Sequence, residues 1–142
     1  MGYLKTQADA SRVPFNEGGN LLMVEDITEA KTLTAEDSGK LFILKAAAGA
    51  QIDIPLVKGF YAKFRTGLAF ATTDWTLVSA TNVIQGNLVV NGAAVPASNE
   101  NTISFVATAE SLGDEVTVES DGTNIYVSGV GNSVGSITAT AP

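Results

Sequence analysis

Histidine and cysteine are both absent from this sequence of 142 residues. Without them a Ser-His-Asp triad, a Cys-His pair and imidazole acid–base catalysis are excluded. Zinc sites built on imidazole or thiolate go with them. Disulfides are impossible, so cysteine usage says nothing about redox compartment. Charge is also scarce: 16% of the residues are charged, against about a quarter in a typical globular chain. No apolar run reaches the roughly 18 residues needed to span a bilayer, and the opening MGYLKTQADASRVPF lacks the apolar core of a secretion signal. No membrane partner is expected.

Basic residues stop at Arg65. Up to that point eight acidic and eight basic residues balance, and beyond it stand Asp74, Glu100, Glu110, Asp114, Glu115, Glu119 and Asp121 with no Lys or Arg at all. The whole net charge of −7 therefore sits in the second part. A surface of that sign repels phosphate backbones, which argues against a nucleic-acid partner. The split reads either as a solubility device or as two faces with different tasks.

What is present is a set of short alternating segments. QIDIP (51–55) points Ile52 and Ile54 one way, with Gln51 and Asp53 the other. In FYAKFRTGLAF (60–70), Phe60, Ala62 and Phe64 share one face, and Tyr61, Lys63 and Arg65 the other. TISFVA (102–107) alternates again, EVTVESDGTNIYVSGVG (115–131) carries a hairpin signature around Asp121-Gly122, and SITAT (136–140) closes the series. Trp75 falls in a Thr-rich loop, while Gly86, Asn91-Gly92 and Pro96 punctuate short apolar pieces. Thr34 with Asp37 three positions on echoes a capping box, stopped almost at once by Gly39. About eight strands and no lasting helix predict an all-β fold: a β-sandwich, jelly roll or squat β-barrel. The expected organisation is an extended N-terminal arm over 1–20 and a single domain over 21–142. Phe60, Phe64, Ile103, Phe105, Val116, Val118, Ile125 and Val127 are the predicted core.

The crowd of acids at 114–121 is the one candidate for chemistry. Paired carboxylates cleave glycosidic bonds only across a cleft, whereas Glu115 and Glu119 stand on the solvent side of an alternating strand. Calcium would want several oxygen ligands, and Glu119, Asp121 and Asn124 match no EF-hand spacing. A Ser38–Lys40 pair flanks Gly39 in what reads as a polar turn. GVGNSVG (129–135) has neither the lysine nor the helix of a phosphate loop. The acidic hairpin therefore reads as scaffold, and no catalytic residue, metal or cofactor is expected.

Two groups of segments carry a resemblance. LTAEDSGKLFIL followed by IDIP, and NTISFVA followed by GDEVTVESDGTNIYVSG, resemble the head decoration, or cement, proteins of tailed bacteriophages, with likeness also to small β-rich domains of phage tail-fibre proteins. Many such modules carry Trp where this chain has Tyr126. The resemblance implies a structural virion protein on the outer capsid surface, clamping neighbouring major capsid subunits. Its implied partners are the major capsid protein and further copies of itself, as a dimer or trimer. The arm and the neutral first part would then supply the capsid or subunit contacts: Tyr3, Leu4, Arg12, Val13, Phe15, Lys63 and Arg65. The alternative is a tail-fibre or adhesin-type module that binds a host surface glycan, for which an exposed aromatic patch is the discriminating feature.

Overall fold

The computed structural model describes residues 23–141. The expected arm, with Tyr3, Leu4, Arg12, Val13 and Phe15, lies outside the described residues. Within them the chain is all-β, in two mixed sheets, and its helical content is one 3-10 turn, Ala35–Asp37. Thr34 caps that turn through the reciprocal bonds expected of it, and Gly39 follows at φ 89°.

Among the described residues twelve strands are formed, where about eight are expected. The first six are β1 (Met23–Ile27), β2 (Lys31–Thr32), β3 (Lys40–Leu44), β4 (Gln51–Asp53), β5 (Tyr61–Thr66) and β6 (Trp75–Val78). They alternate between the sheets, β1, β3 and β5 running parallel in the larger and β2, β4 and β6 parallel in the smaller. Parallel neighbours need a crossover, usually a helix; here a strand of the opposite sheet fills that role. The second half adds β7 (Ile84–Val90) and β8 (Ala93–Glu100) to the larger sheet and β9 (Thr102–Phe105) to the smaller. It then repeats the move with β10 (Glu115–Ser120), β11 (Ile125–Gly131) and β12 (Ile137–Thr140). The seven-stranded order is β1-β3-β5-β10-β11-β7-β8 and the five-stranded order β12-β9-β6-β4-β2. The parallel ladders set this winding apart from antiparallel Greek keys.

One apolar cluster joins the sheets, and all eight predicted core residues belong to it. Phe42 and Phe64 stack with ring centroids 5.3 Å apart. Trp75, expected in a loop, instead opens β6 opposite Phe105, and both are fully buried. Each such side chain contributes about 1.5–3 kcal/mol by leaving water. Asn91 and Gly92, both at positive φ (51° and 79°), form the two-residue turn that joins Val90 to Ala93, the geometry that matches strand twist. The punctuation read at Gly86 and Pro96 therefore falls inside two long strands. Pro96 is tolerated because β8 is an edge. At Gly86 a Cβ would sit 2.1 Å from the Val127 carbonyl oxygen, so only glycine lets β7 and β11 pair there.

Candidate interaction surface

Alternation puts Tyr61, Lys63 and Arg65 on the outer face of the larger sheet, opposite the buried Ala62 and Phe64, as the sequence predicts. The strand registers align that face in rows across β5, β10, β11, β7 and β8. One row reads Tyr61–Glu119–Tyr126–Gln85–Ser98. The next is Lys63–Thr117–Ser128–Asn87–Pro96, and the third Arg65–Glu115–Val130–Val89–Ala94.

The two cations are not free. Arg65 Nη2 lies 2.9 Å from Glu115 Oε1, and Lys63 Nζ lies 3.2 Å from Glu115 Oε2. Partial burial pushes the Glu115 carboxyl up, but the Arg65 and Lys63 hydrogen bonds outweigh it and hold it below the usual glutamate range. Glu115 was expected to stand in water with no base nearby; β5 and β10, about fifty residues apart in sequence, bring the bases to it. The charge split along the chain accordingly does not become two faces, because strands of both parts are hydrogen-bonded neighbours.

Most of the remaining late acids hold backbone. Asp114, one of the crowded acids at 114–121, is fully buried. It accepts from Ser111 N–H at 2.8 Å, Asn132 N–H at 2.9 Å and Asn132 Nδ2 at 3.0 Å. Asp74 accepts from Ala107 N–H and Glu110 from Phe70 N–H. Asp121 accepts from Thr123 and Asn124 N–H and from the Tyr126 hydroxyl, and the Asn124 and Thr123 amides lower its pKa. These bonds make the 121–124 connection a four-residue loop with Gly122 at φ 90°. Asp121 thus has both oxygens engaged, one by amides of its own loop and one by Tyr126 of β11. Among the described residues no three carboxylates gather as a metal-binding group.

A second ion network ties β1, β2, β3 and the 3-10 turn together. Glu25 meets Lys31 at 3.0 Å and Lys40 at 2.9 Å, and Lys40 meets Asp37 at 2.9 Å. The Lys40 and Lys31 bonds lower Glu25, and the bonds to Asp37 and Glu25 raise Lys40. Ser38 is turned elsewhere: its Oγ accepts from Tyr61 N–H at 3.0 Å. The Ser38–Lys40 pair is thus a turn and an ion bridge.

Farther along the same face the surface changes character. β7, β8 up to Asn99, β11 and β12 carry no charged side chain, and the topology sets the first three side by side. Val130 and Val89, 54% and 44% exposed, lie in register with exposed Ala94. Behind β8 a cleft of about 270 Å³ opens between the β7–β8 turn and β12, lined by Val90, Ala93, Val95, Val134 and Ile137 among others. Val134 on its rim is 76% exposed. Sequence reasoning missed this wall. Its signal was available as two charge-free runs, 75–99 and 122–141.

No family model, curated protein or solved structure matches this chain. The functional reading therefore rests on the surface itself and on the segment resemblance.

Proposed function

We propose that the chain is a structural virion protein that decorates the outer surface of a phage capsid and braces neighbouring major capsid subunits. In this reading the two sheets act as a sandwich-type block, built to present broad faces. The observation that carries it is the outer face of the larger sheet. Lys63 and Arg65 on it are both paired to the single carboxylate of Glu115, and strands β11, β7 and β8 up to Asn99 beside them carry no charge, so it offers a wide surface that costs less to desolvate than one carrying free ions. Acids bonded to backbone amides fix the loops around that block. Lys63 and Arg65 are the contact residues on this face.

The test is a density map of particles of the encoding virus, with and without the added chain, together with co-sedimentation at limiting protein. The expected result is density on the outer shell at the junctions of capsid subunits, and reduced occupancy for Lys63→Ala with Arg65→Ala. Density at the tail alone, or no binding to heads, would sink the proposal. The glycan-binding alternative loses Trp75, which is fully buried. Its support is the row Tyr61–Glu119–Tyr126, in which the exposed Tyr126 ring is held through its hydroxyl by Asp121 at 3.0 Å.

A further inference from the structure

From the open edge of β1 we infer a docking site whose occupant is residues 11–17 of the same chain. That segment pairs antiparallel with β1 through a two-residue turn at Gly18-Gly19, and adds one strand to the seven of the larger sheet. The proposal does not rest on the virion reading. It takes Arg12, Val13 and Phe15 out of the partner contacts that the resemblance implies.

The first argument is the edge itself. Among the described residues β1 pairs on one side only, with β3. Every second residue of such a strand turns its N–H and C=O outward, and natural sheets cover or blunt edges of this kind. Lys45 N–H donates to the Ile27 carbonyl at 2.9 Å, which sets the parity. Glu25 and Ile27 address β3, while Val24 and Asp26 point their backbone groups away from it. Met23 and Val24 are 65% and 62% exposed, although Val24 stands in register with the buried Leu41.

The second argument is that the preceding sequence fits this parity. Gly18-Gly19 suits the positive φ that a type I′ turn requires at both central positions. Glu17 then faces Asn20 in a hydrogen-bonded pair, and such pairs recur at every second residue. They are Phe15 with Leu22, Val13 with Val24, and Ser11 with Asp26, so they fall on the β1 positions that point outward. Pro14 faces Met23 in a non-hydrogen-bonded pair. Its missing N–H therefore lies on the new outer edge, where proline is tolerated. The same register sets Val13 beside Val24 and Arg12 beside Glu25, the apolar and opposite-charge pairings that stabilise a ladder. At this end of the sheet Glu25, Asp26, Glu29 and Asp37 outnumber Lys31 and Lys40, so Arg12 arrives where positive charge is short.

Tethering decides between occupants. A strand from another molecule competes with a segment that two glycines join to β1, at an effective concentration on the order of millimolar.

Two measurements on the full chain test this. Hydrogen exchange reads the parity: the Val24 and Asp26 amides should exchange about tenfold or more slowly in the parent than in Val13→Pro. Glu25 and Ile27, bonded to β3, should be protected in both and so report an intact sheet. The chain has no cysteine, so introduced pairs report register directly. Pro14→Cys with Met23→Cys brings two Cα atoms to about 4.5 Å, within disulfide reach. That pair should close inside one chain under oxidised glutathione. Ala10→Cys with Met23→Cys stands about 13 Å out of register and should close far more slowly. Equal closure of the two pairs overturns the inference, as does fast exchange at Val24 and Asp26 in the parent. A disulfide formed between two chains in place of the internal one also overturns it, since the segment would then lie on a neighbour.

Discussion

Replacing Asp114 with alanine removes a carboxylate that the fold has enclosed completely. Three donors are lost at once, Ser111 N–H, Asn132 N–H and Asn132 Nδ2, at 2.8–3.0 Å. A hydrogen bond to a charged group has a net worth of about 1.5–3 kcal/mol, so three together set an upper bound near 9. The actual cost is smaller, because Asn132 is exposed and its groups recover water when the carboxylate goes. A loss of about 3–4 kcal/mol follows, in the range for breaking a buried polar network. At roughly 3–4 °C per kcal/mol for a chain of this size, the melting temperature should fall by about 10–15 °C. Asp114→Asn separates acceptor from charge. With its oxygen toward Asn132, its amide faces the Ser111 N–H, so one bond of the three is lost and about 1–2 kcal/mol with it. Trp75 is the sole tryptophan and fully buried, so its fluorescence reports urea unfolding directly. An Asp114→Ala variant within about 0.5 kcal/mol of the parent, the range of ordinary surface changes, would refute the argument that this acid holds the 111–114 and 132–136 loops together.

Phe105→Ala should cost about 3–5 kcal/mol in the same assay, since the ring is fully buried against Trp75 and Ile137 neighbours in register; a loss under 1 would place it outside the core. Gly86→Ala should cost about 2 kcal/mol or more, because φ is 139° and the new methyl meets the Val127 carbonyl; a neutral outcome would mean that β7 and β11 do not pair as described. Glu115→Gln should lose up to about 1 kcal/mol with its two ion pairs, whereas Glu119→Gln should be silent, and equal effects would contradict the assignment. Glu25, Asp37, Glu115 and Asp121 all have lowered pKa values in the fold. For Asp37 burial opposes the shift, and the Lys40 and Thr34 bonds prevail. Their stabilisation is complete above the ordinary carboxylate range and is lost as pH falls below about 4 through the folded values. A urea midpoint flat from pH 6 to pH 2.5 would remove these contacts from the account.

Period-two alternation within single segments was legible and correct. Ile52 and Ile54, Phe60 to Phe64, and Val116 to Val127 all face the core that their spacing assigns them. Alternation is a local property, set by the pleat of one strand. The failures share a different cause. Trp75 read as loop because its strand has four residues, too few for a period to show between Thr and Asp neighbours. β2, of two residues, escaped notice for the same reason. The Asn-Gly turn at 91–92 carried a strong hairpin signal, but Gly86 and Pro96 inside its strands masked it, and both are explained only by what pairs beside them or fails to.

The misreading of the acids is instructive about what sequence distance hides. Glu115 lacks a base within its own segment, yet the nearest bases stand directly across a ladder whose partner strand comes fifty residues earlier. Asp114 and Glu115 are adjacent in sequence and opposite in fate, one enclosed under the 132–136 loop and the other bridging two cations on an open face. Alternation alone predicts opposite sides for them, and the acidic composition of the stretch hid that prediction. The charge-free runs obey the same logic. Each is unremarked alone, since β-rich segments often lack charge. Their weight appears only because β11 pairs with β7 in parallel, from Ile125 on Ile84 to Gly131 on Val90. That ladder merges two neutral runs into one surface on a molecule of net charge −7. An acidic chain that leaves three adjacent strands of a face uncharged forgoes solubility there, and a contact made by that part of the face is the physical reason that would offset the loss.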